Sequence, residues 1–214
     1  MKFKHFNARE IIISAYTTLF VLSPILSNRI TDIFGLKVLV GAITMTFVFG
    51  LLDVINNTYG EDQAKQTVIT ATAVRMISWL LISFAVATLP AWKETPGFST
   101  LVVESLRIFV SGEASFLLSQ YFVDIPVFNF FKKRFNSFWI RYNLSNMVSN
   151  TLQTALFVFF GFVGKGVPLL NLMAGQLLFR VCISFATTPI FGLLVTLLKK
   201  ADKSKSSGSK RQIN

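Results

Sequence analysis

Apolar positions along this chain gather into six blocks, at 11–27, 38–55, 68–90, 101–122, 144–163 and 169–198, separated by short polar stretches. A helix needs about 20 apolar residues to cross the ~30 Å hydrocarbon core of a bilayer, and each block is close to that length. Hydrocarbon cannot satisfy free backbone N–H and C=O groups, so blocks of this kind must be helices. The pattern predicts an all-α membrane protein with six transmembrane helices in one domain over 11–198. A short tail, 1–10, precedes it, and a Ser/Lys-rich tail, 199–214, follows it and is expected to be disordered. The last block is long enough to tilt or to bend at Pro189.

The stretch 125–143 (IPVFNFFKKRFNSFWIRYN) mixes aromatic with basic residues. It reads as an interfacial segment at the headgroups, with Phe128, Phe130, Phe131, Phe138 and Trp139 at the water boundary. The basic region ahead of the first block leads to no Ala-x-Ala-like exit, so no cleaved leader is expected. No internal repeat is visible.

Charge changes the picture by fixing an orientation. The formal net charge is +11, which in a soluble protein would suggest nucleic acid. Here the distribution points to the positive-inside rule instead. With the N-terminus in the cytoplasm, Lys2, Lys4, Arg9, Lys65, Lys132, Lys133, Arg134, Arg141 and six basic residues of the tail fall on one side. Arg29, Lys37, Lys93 and Lys165 fall on the other. Both termini are therefore expected to be cytoplasmic, the lipid bilayer is the expected surroundings, and no nucleic-acid partner is expected.

Several chemistries lack their residues. The sequence has no phosphate-binding Gly-rich loop of the Walker type, no HExxH and no GxSxG. One cysteine, Cys182, excludes an internal disulfide and a multi-thiolate metal site, and it reads as a small core residue of its helix. The lone His5 lies in the N-terminal tail. Neither catalysis nor a cofactor nor a metal is expected.

Polar residues inside the blocks carry the candidate chemistry. Asp53, Arg75, Glu104, Arg107, Glu113 and Arg180 lie within proposed spans, and Asp124 at the end of one. A charge at mid-bilayer costs at least about 2.5–3.5 kcal/mol, so these groups must face one another or a hydrated cavity. Glu104 and Arg107 are three apart and can bridge on one helix face. In the fifth block, helical spacing aligns Ser145, Ser149 and Gln153 in one row and Asn146, Asn150 and Thr154 in the next. Such residues can serve as interhelical glue, but six on contiguous lanes favour a cavity wall, with Gln176 and Arg180 as a second wall. Ser111, Ser115 and Ser119, beside Gly112, read as a close-packing stripe.

The segments LLDVINNTYG (51–60), RIFVSGEASFLLSQYFVDIPVFN (107–129) and FWIRYNLSNMVSNTLQTALFVFFGF (138–162) resemble the bacterial queuosine-precursor transporters, also known as vitamin-uptake transporters. Asp53, Tyr59 and Gly60 match the second-span signature. Arg107, Ser115, Gln120, Asp124 and Phe128 match the fourth, and Trp139, Arg141, Ser145, Asn150, Thr154 and Phe157 the fifth. Arg180 matches a basic position in the sixth. Asn57 and Gln153 depart from the pattern, standing where acids are usual.

The resemblance implies a six-helix carrier of the bacterial inner membrane that imports 7-cyano- or 7-aminomethyl-7-deazaguanine. The binding set expected from residues and resemblance together is Asp53, Arg107, Glu113, Asn146, Asn150, Gln153 and Arg180. Asn150 and Gln153 would read the edge of the base, and Asp53 or Glu113 would accept from its exocyclic amine and ring N–H. Arg107 and Arg180 would neutralise the acids. The alternative is a substrate-binding subunit that borrows an energy-coupling module for a vitamin or purine-like base. A homodimer is a further arrangement compatible with the sequence.

Overall fold

The computed structural model describes residues 8–88 and 97–210, with the backbone alone for 201–210. The N-terminal Lys2, Lys4 and His5, the connection holding Lys93, and Arg211 lie outside the described residues. Helix dominates: α1 (Ala8–Ser27), α2 (Gly41–Tyr59), α3 (Glu61–Thr88), α4 (Phe98–Ser119), α5 (Ile125–Arg134), α6 (Phe138–Phe162) and α7 (Leu169–Lys210). Of these, α1, α3 and α7 (over Leu169–Lys200) are long and apolar enough to cross a membrane by length and composition. The other three long helices, α2, α4 and α6, correspond to expected blocks but carry more of the polar residues at issue.

The distribution of side chains is inverted relative to a protein built for water. Leu80, Leu81, Phe84, Val103, Val110, Phe159, Ile190 and Leu193 are all exposed, whereas Asp53, Arg75, Gln120, Asp124, Gln176 and Arg180 are buried. Water would penalise both halves of that arrangement, and a hydrocarbon surround penalises neither. The chain is a helical membrane protein.

Three boundaries differ from the sequence reading. Residues 30–39, expected as connection and start of the second block, form an antiparallel hairpin of β1 (Ile30–Ile33) and β2 (Leu36–Leu39), with Ile30 opposite Leu39 and Ile33 opposite Leu36. The all-α expectation thus acquires one small sheet. Phe34 and Gly35 both have positive φ, 53° and 81°, which suits the right-handed twist of a two-residue hairpin turn. Asp32 secures it by accepting from Gly35 N at 2.8 Å and pairing with Lys37 Nζ at 2.7 Å. The hairpin docks on α7, where Asn171 Oδ1 accepts from Lys37 N at 2.9 Å.

The segment 125–143 is not one interfacial strip. A π-helical turn, Gln120–Asp124, carries α4 directly into α5, and α6 begins at Phe138. Phe128 is fully buried, beneath the Arg141 guanidinium at 5.7 Å and beside the Phe138 ring at 6.3 Å, while Phe130 and Trp139 remain exposed. Finally, α7 continues as helix through the stretch 199–210. Cys182, expected inside, sits on an exposed face of α7.

Close packing holds the polar centre in place. α1 packs on α2 and α3, α4 on α6, and α7 on α2 and α6. Gly41 lets α2 approach α1: a Cβ there would lie 2.6 Å from Ser23 O. The stripe Ser111, Ser115 and Ser119 is buried, each hydroxyl donating to a carbonyl of its own helix, which leaves a small, self-satisfied surface for neighbours.

Candidate ligand-binding site

All six lane residues of α6 are buried, so the helix turns its polar side inward as the spacing implies. Asn146 Nδ2 donates to Asp53 Oδ2 on α2 at 2.8 Å and also approaches Tyr142 O at 2.8 Å. Asn150 Nδ2 reaches Asn146 Oδ1 at 3.4 Å. Arg180 Nη1 on α7 donates to Asn150 Oδ1 at 3.2 Å and to Gln153 Oε1. A single relay of hydrogen bonds thus runs from Asp53 through two amides to Arg180, joining three helices. One turn along α6, Ser149 Oγ lies 2.7 Å from Asp124 Oδ1, which brings the π-helical turn to the same face.

Beside the relay lies a small cavity where α1, α2, α3, α4, α6 and α7 meet. Its polar wall consists of Ser23, Ser27, Arg75, Gln153, Gln176 and Arg180, and its apolar wall includes Met45, Ile108 and Phe157. It holds about 20 Å³. That is room for a water or two and too little for a fused-ring base in this conformation.

The hydrogen-bonding capacity facing the cavity is unspent. Both polar atoms of Gln176, Arg75 Nη2 and Arg180 Nε are buried without a partner among the described residues. Buried polar groups are normally satisfied, and leaving one unpaired costs about 1–3 kcal/mol. Several such groups line this one cavity and leave donors and acceptors there without a partner among the described residues.

The two buried arginines differ in kind. Arg75 pairs with Glu113 across α3 and α4, donates to Phe20 O at 3.3 Å, and stacks over the Phe20 ring at 3.8 Å. Gly112 keeps the path of this side chain open, since a Cβ there would stand 3.3 Å from Arg75 Nη2. Arg180 has amide oxygens and the Phe49 ring, 5.8 Å away, but no carboxylate forms an ion pair with it among the described residues.

The expected binding set therefore divides. Gln153 and Arg180 line the cavity, Asn146 and Asn150 form the relay, Asp53 anchors its far end, and Glu113 stands behind Arg75. Arg107 is elsewhere. It is exposed, and its guanidinium donates to Phe160 O at 3.0 Å and Val163 O at 2.7 Å, capping the C-terminal carbonyls of α6. It neither bridges Glu104 nor neutralises Asp53 or Glu113, and Arg180 bonds amides rather than an acid. Arg75 takes the neutralising role. Its position in the midst of an apolar block was the signal that it needed a partner. The helix-facing direction that selects Glu113 is not readable from spacing within one helix.

No curated protein and no solved structure matches the chain. Residues 39–194, which include every residue lining the cavity except those of α1, match the family model described as "Putative vitamin uptake transporter". With that match extending over most of its length, the chain belongs to this family of membrane transporters.

Proposed function

We propose that the chain is a six-crossing carrier of the bacterial inner membrane, with both termini cytoplasmic, that imports a 7-deazaguanine precursor of queuosine. The observation that carries this reading is the row of unspent donors and acceptors on Gln176, Arg75 and Arg180 around a cavity whose other wall is apolar. A deazaguanine has flat apolar faces and an edge that alternates donors and acceptors, and it needs both kinds of wall. Glutamine and asparagine offer donor and acceptor together. Arginine offers a fixed fork of donors to a carbonyl or ring nitrogen.

The small cavity fits one step of an alternating-access cycle, in which helices rock about a buried site and open it to one side at a time. The test is uptake of 7-cyano- and 7-aminomethyl-7-deazaguanine, with guanine as competitor, by cells that cannot synthesise either base and carry this chain. Accumulation of a precursor that depends on the chain supports the carrier. Reconstitution into liposomes of the chain alone separates self-sufficient transport from binding that requires an energy-coupling module.

A further inference from the structure

The hydrogen-bond relay ends at one buried acid, and a second stands near it. Asp53 and Asp124, 1 % and 0 % exposed, lie within electrostatic reach of each other. Both bond the same turn of α6, Asp53 through Asn146 and Asp124 through Ser149. Neither forms an ion pair among the described residues. Asp53 is compensated by the Asn146 amide at 2.8 Å and by the nearby Arg141 guanidinium. Asp124 has only the Ser149 hydroxyl, and its Oδ2 is buried without a partner among the described residues. The cations on the helices packed around it are engaged elsewhere. Arg75 of α3 pairs with Glu113 of α4, Lys65 of α3 pairs with Glu61, and Lys132, Lys133 and Arg134 occupy the last turn of α5. Tyr142 of α6 and Tyr16 of α1 complete the surroundings, and the fully buried Tyr16 hydroxyl also lacks a partner among the described residues.

The Ser149 hydroxyl decides the charge of Asp124. Its oxygen lies 2.7 Å from Asp124 Oδ1 and 2.9 Å from Ser145 O, both hydrogen-bond distances. A hydroxyl carries one hydrogen, and the Ser145 carbonyl can only accept it. With Asp124 ionised, two acceptors compete for that hydrogen. With a proton on Oδ1, Asp124 donates to Ser149 Oγ, which donates to Ser145 O, and both contacts are filled. The proton also removes one of two like charges from a buried place, where their repulsion is strong.

We propose that Asp124 is a proton-binding site and that entry of the base is coupled to a proton carried there. The coupling deepens the carrier reading and rests on it. Ser149 stands four residues, about one helical turn, from Gln153, which lines the cavity. An ionised Asp124 beside Asp53 disfavours the packing seen here, which links the proton to the arrangement of helices around the cavity.

Two measurements test it. Infrared spectroscopy of the full-length chain in lipid nanodiscs at neutral pH, without ligand, reads the carbonyl stretch of protonated carboxyls. Expected is such a band in the wild-type chain, lost in Asp124→Asn. Asp124→Glu should move its frequency, which keeps the assignment open if the amide variant does not fold. Accumulation of 7-cyano-7-deazaguanine in liposomes holding the chain, with the membrane potential clamped at zero, reads the coupling. An exterior one pH unit more acid than the lumen should concentrate the base up to about tenfold, the limit for one proton per base. Absence of the band, or a band that neither variant alters, overturns the proton site and leaves the carrier reading intact. Uptake that equilibrates under the gradient without concentrating the base overturns the coupling and likewise spares the carrier. No uptake that depends on the chain overturns the carrier reading for this base and the coupling with it, while the band still decides the proton site.

Discussion

The side-chain amide of Asn146 donates to Asp53 Oδ2 at 2.8 Å, and this bond fastens α6 to α2. Both residues are buried. Removing the amide strands a carboxylate in a place where water cannot replace the lost donor. Asn146→Leu should destabilise the chain by about 1–3 kcal/mol, and Asn146→Asp by more because it sets two acids together. Asp53→Asn, which keeps the shape and an acceptor oxygen, should cost less than Asn146→Leu. Thermal melting of the three variants in one detergent checks the order.

The Arg75–Glu113 pair predicts non-additivity. Loss of one partner leaves an uncompensated buried charge, at about 3–5 kcal/mol, whereas replacing both by apolar residues of similar volume is often neutral or stabilising. Arg75→Met and Glu113→Leu should each lower the melting temperature sharply, and the double variant should recover most of the loss. A double variant as unstable as the sum of the singles would contradict the pairing.

Gln176 should show opposite effects on stability and binding. Its polar atoms have no partner among the described residues, so Gln176→Leu removes a buried unpaired group and should leave stability unchanged or raise it by about 1–3 kcal/mol. The same change should weaken binding of a 7-deazaguanine by about tenfold, the value of one lost hydrogen bond to a buried site. Parallel melting and binding curves decide it, and a fall in both would place Gln176 among the structural residues.

Gly50 reports the tightness of the α2–α7 contact. A Cβ built on it falls 2.2 Å from Phe191 Cε2, and that ring is held between Phe47 at 6.1 Å and Tyr142 at 5.7 Å. Gly50→Ala should cost about 1–3 kcal/mol by overpacking. Adding Phe191→Leu should restore part of it by vacating the ring's edge, and melting of the single and double variants measures both.

The hairpin gives the chain a pH response outside the helices. The Lys37 ammonium, bonded to Asp32, and the Gly35 N–H hold the Asp32 carboxyl below its ordinary range. A carboxylate with a lowered folded value stabilises the hairpin fully above the ordinary range and loses that contribution as pH falls through the lowered value. Amide protection factors at residues 30–39, corrected for the intrinsic rate at each pH, should fall on acidification below about pH 4, and Asp32→Asn should abolish that dependence. An Asp32→Asn hairpin that still loosens over the same interval would place the titrating group elsewhere.

The inward face of α6 is legible in the sequence, because helical spacing alone puts Ser145, Ser149 and Gln153 beside Asn146, Asn150 and Thr154. The same reading places Gln153 and Arg180 on polar walls, and both line one cavity. Arg107 does not. Its sequence neighbourhood is as polar as that of Glu113, yet it points outward to the C-terminal carbonyls of α6, because those carbonyls are left unpaired where the helix stops. The hairpin was hidden for a related reason. Its strands are four residues each, and their apolar character merged with the block that followed.

Sequence by itself determined that this protein lives in a bilayer as helices and that one of those helices has a polar side, since both facts depend on local runs and on a fixed helical period. Tertiary structure decided who meets whom: Glu113 with Arg75, Asp53 with Asn146, and Arg180 with Asn150 and Gln153. Those partners lie on different helices, and a period of 3.6 residues sets the direction a side chain takes from its own axis without setting which neighbouring helix stands there.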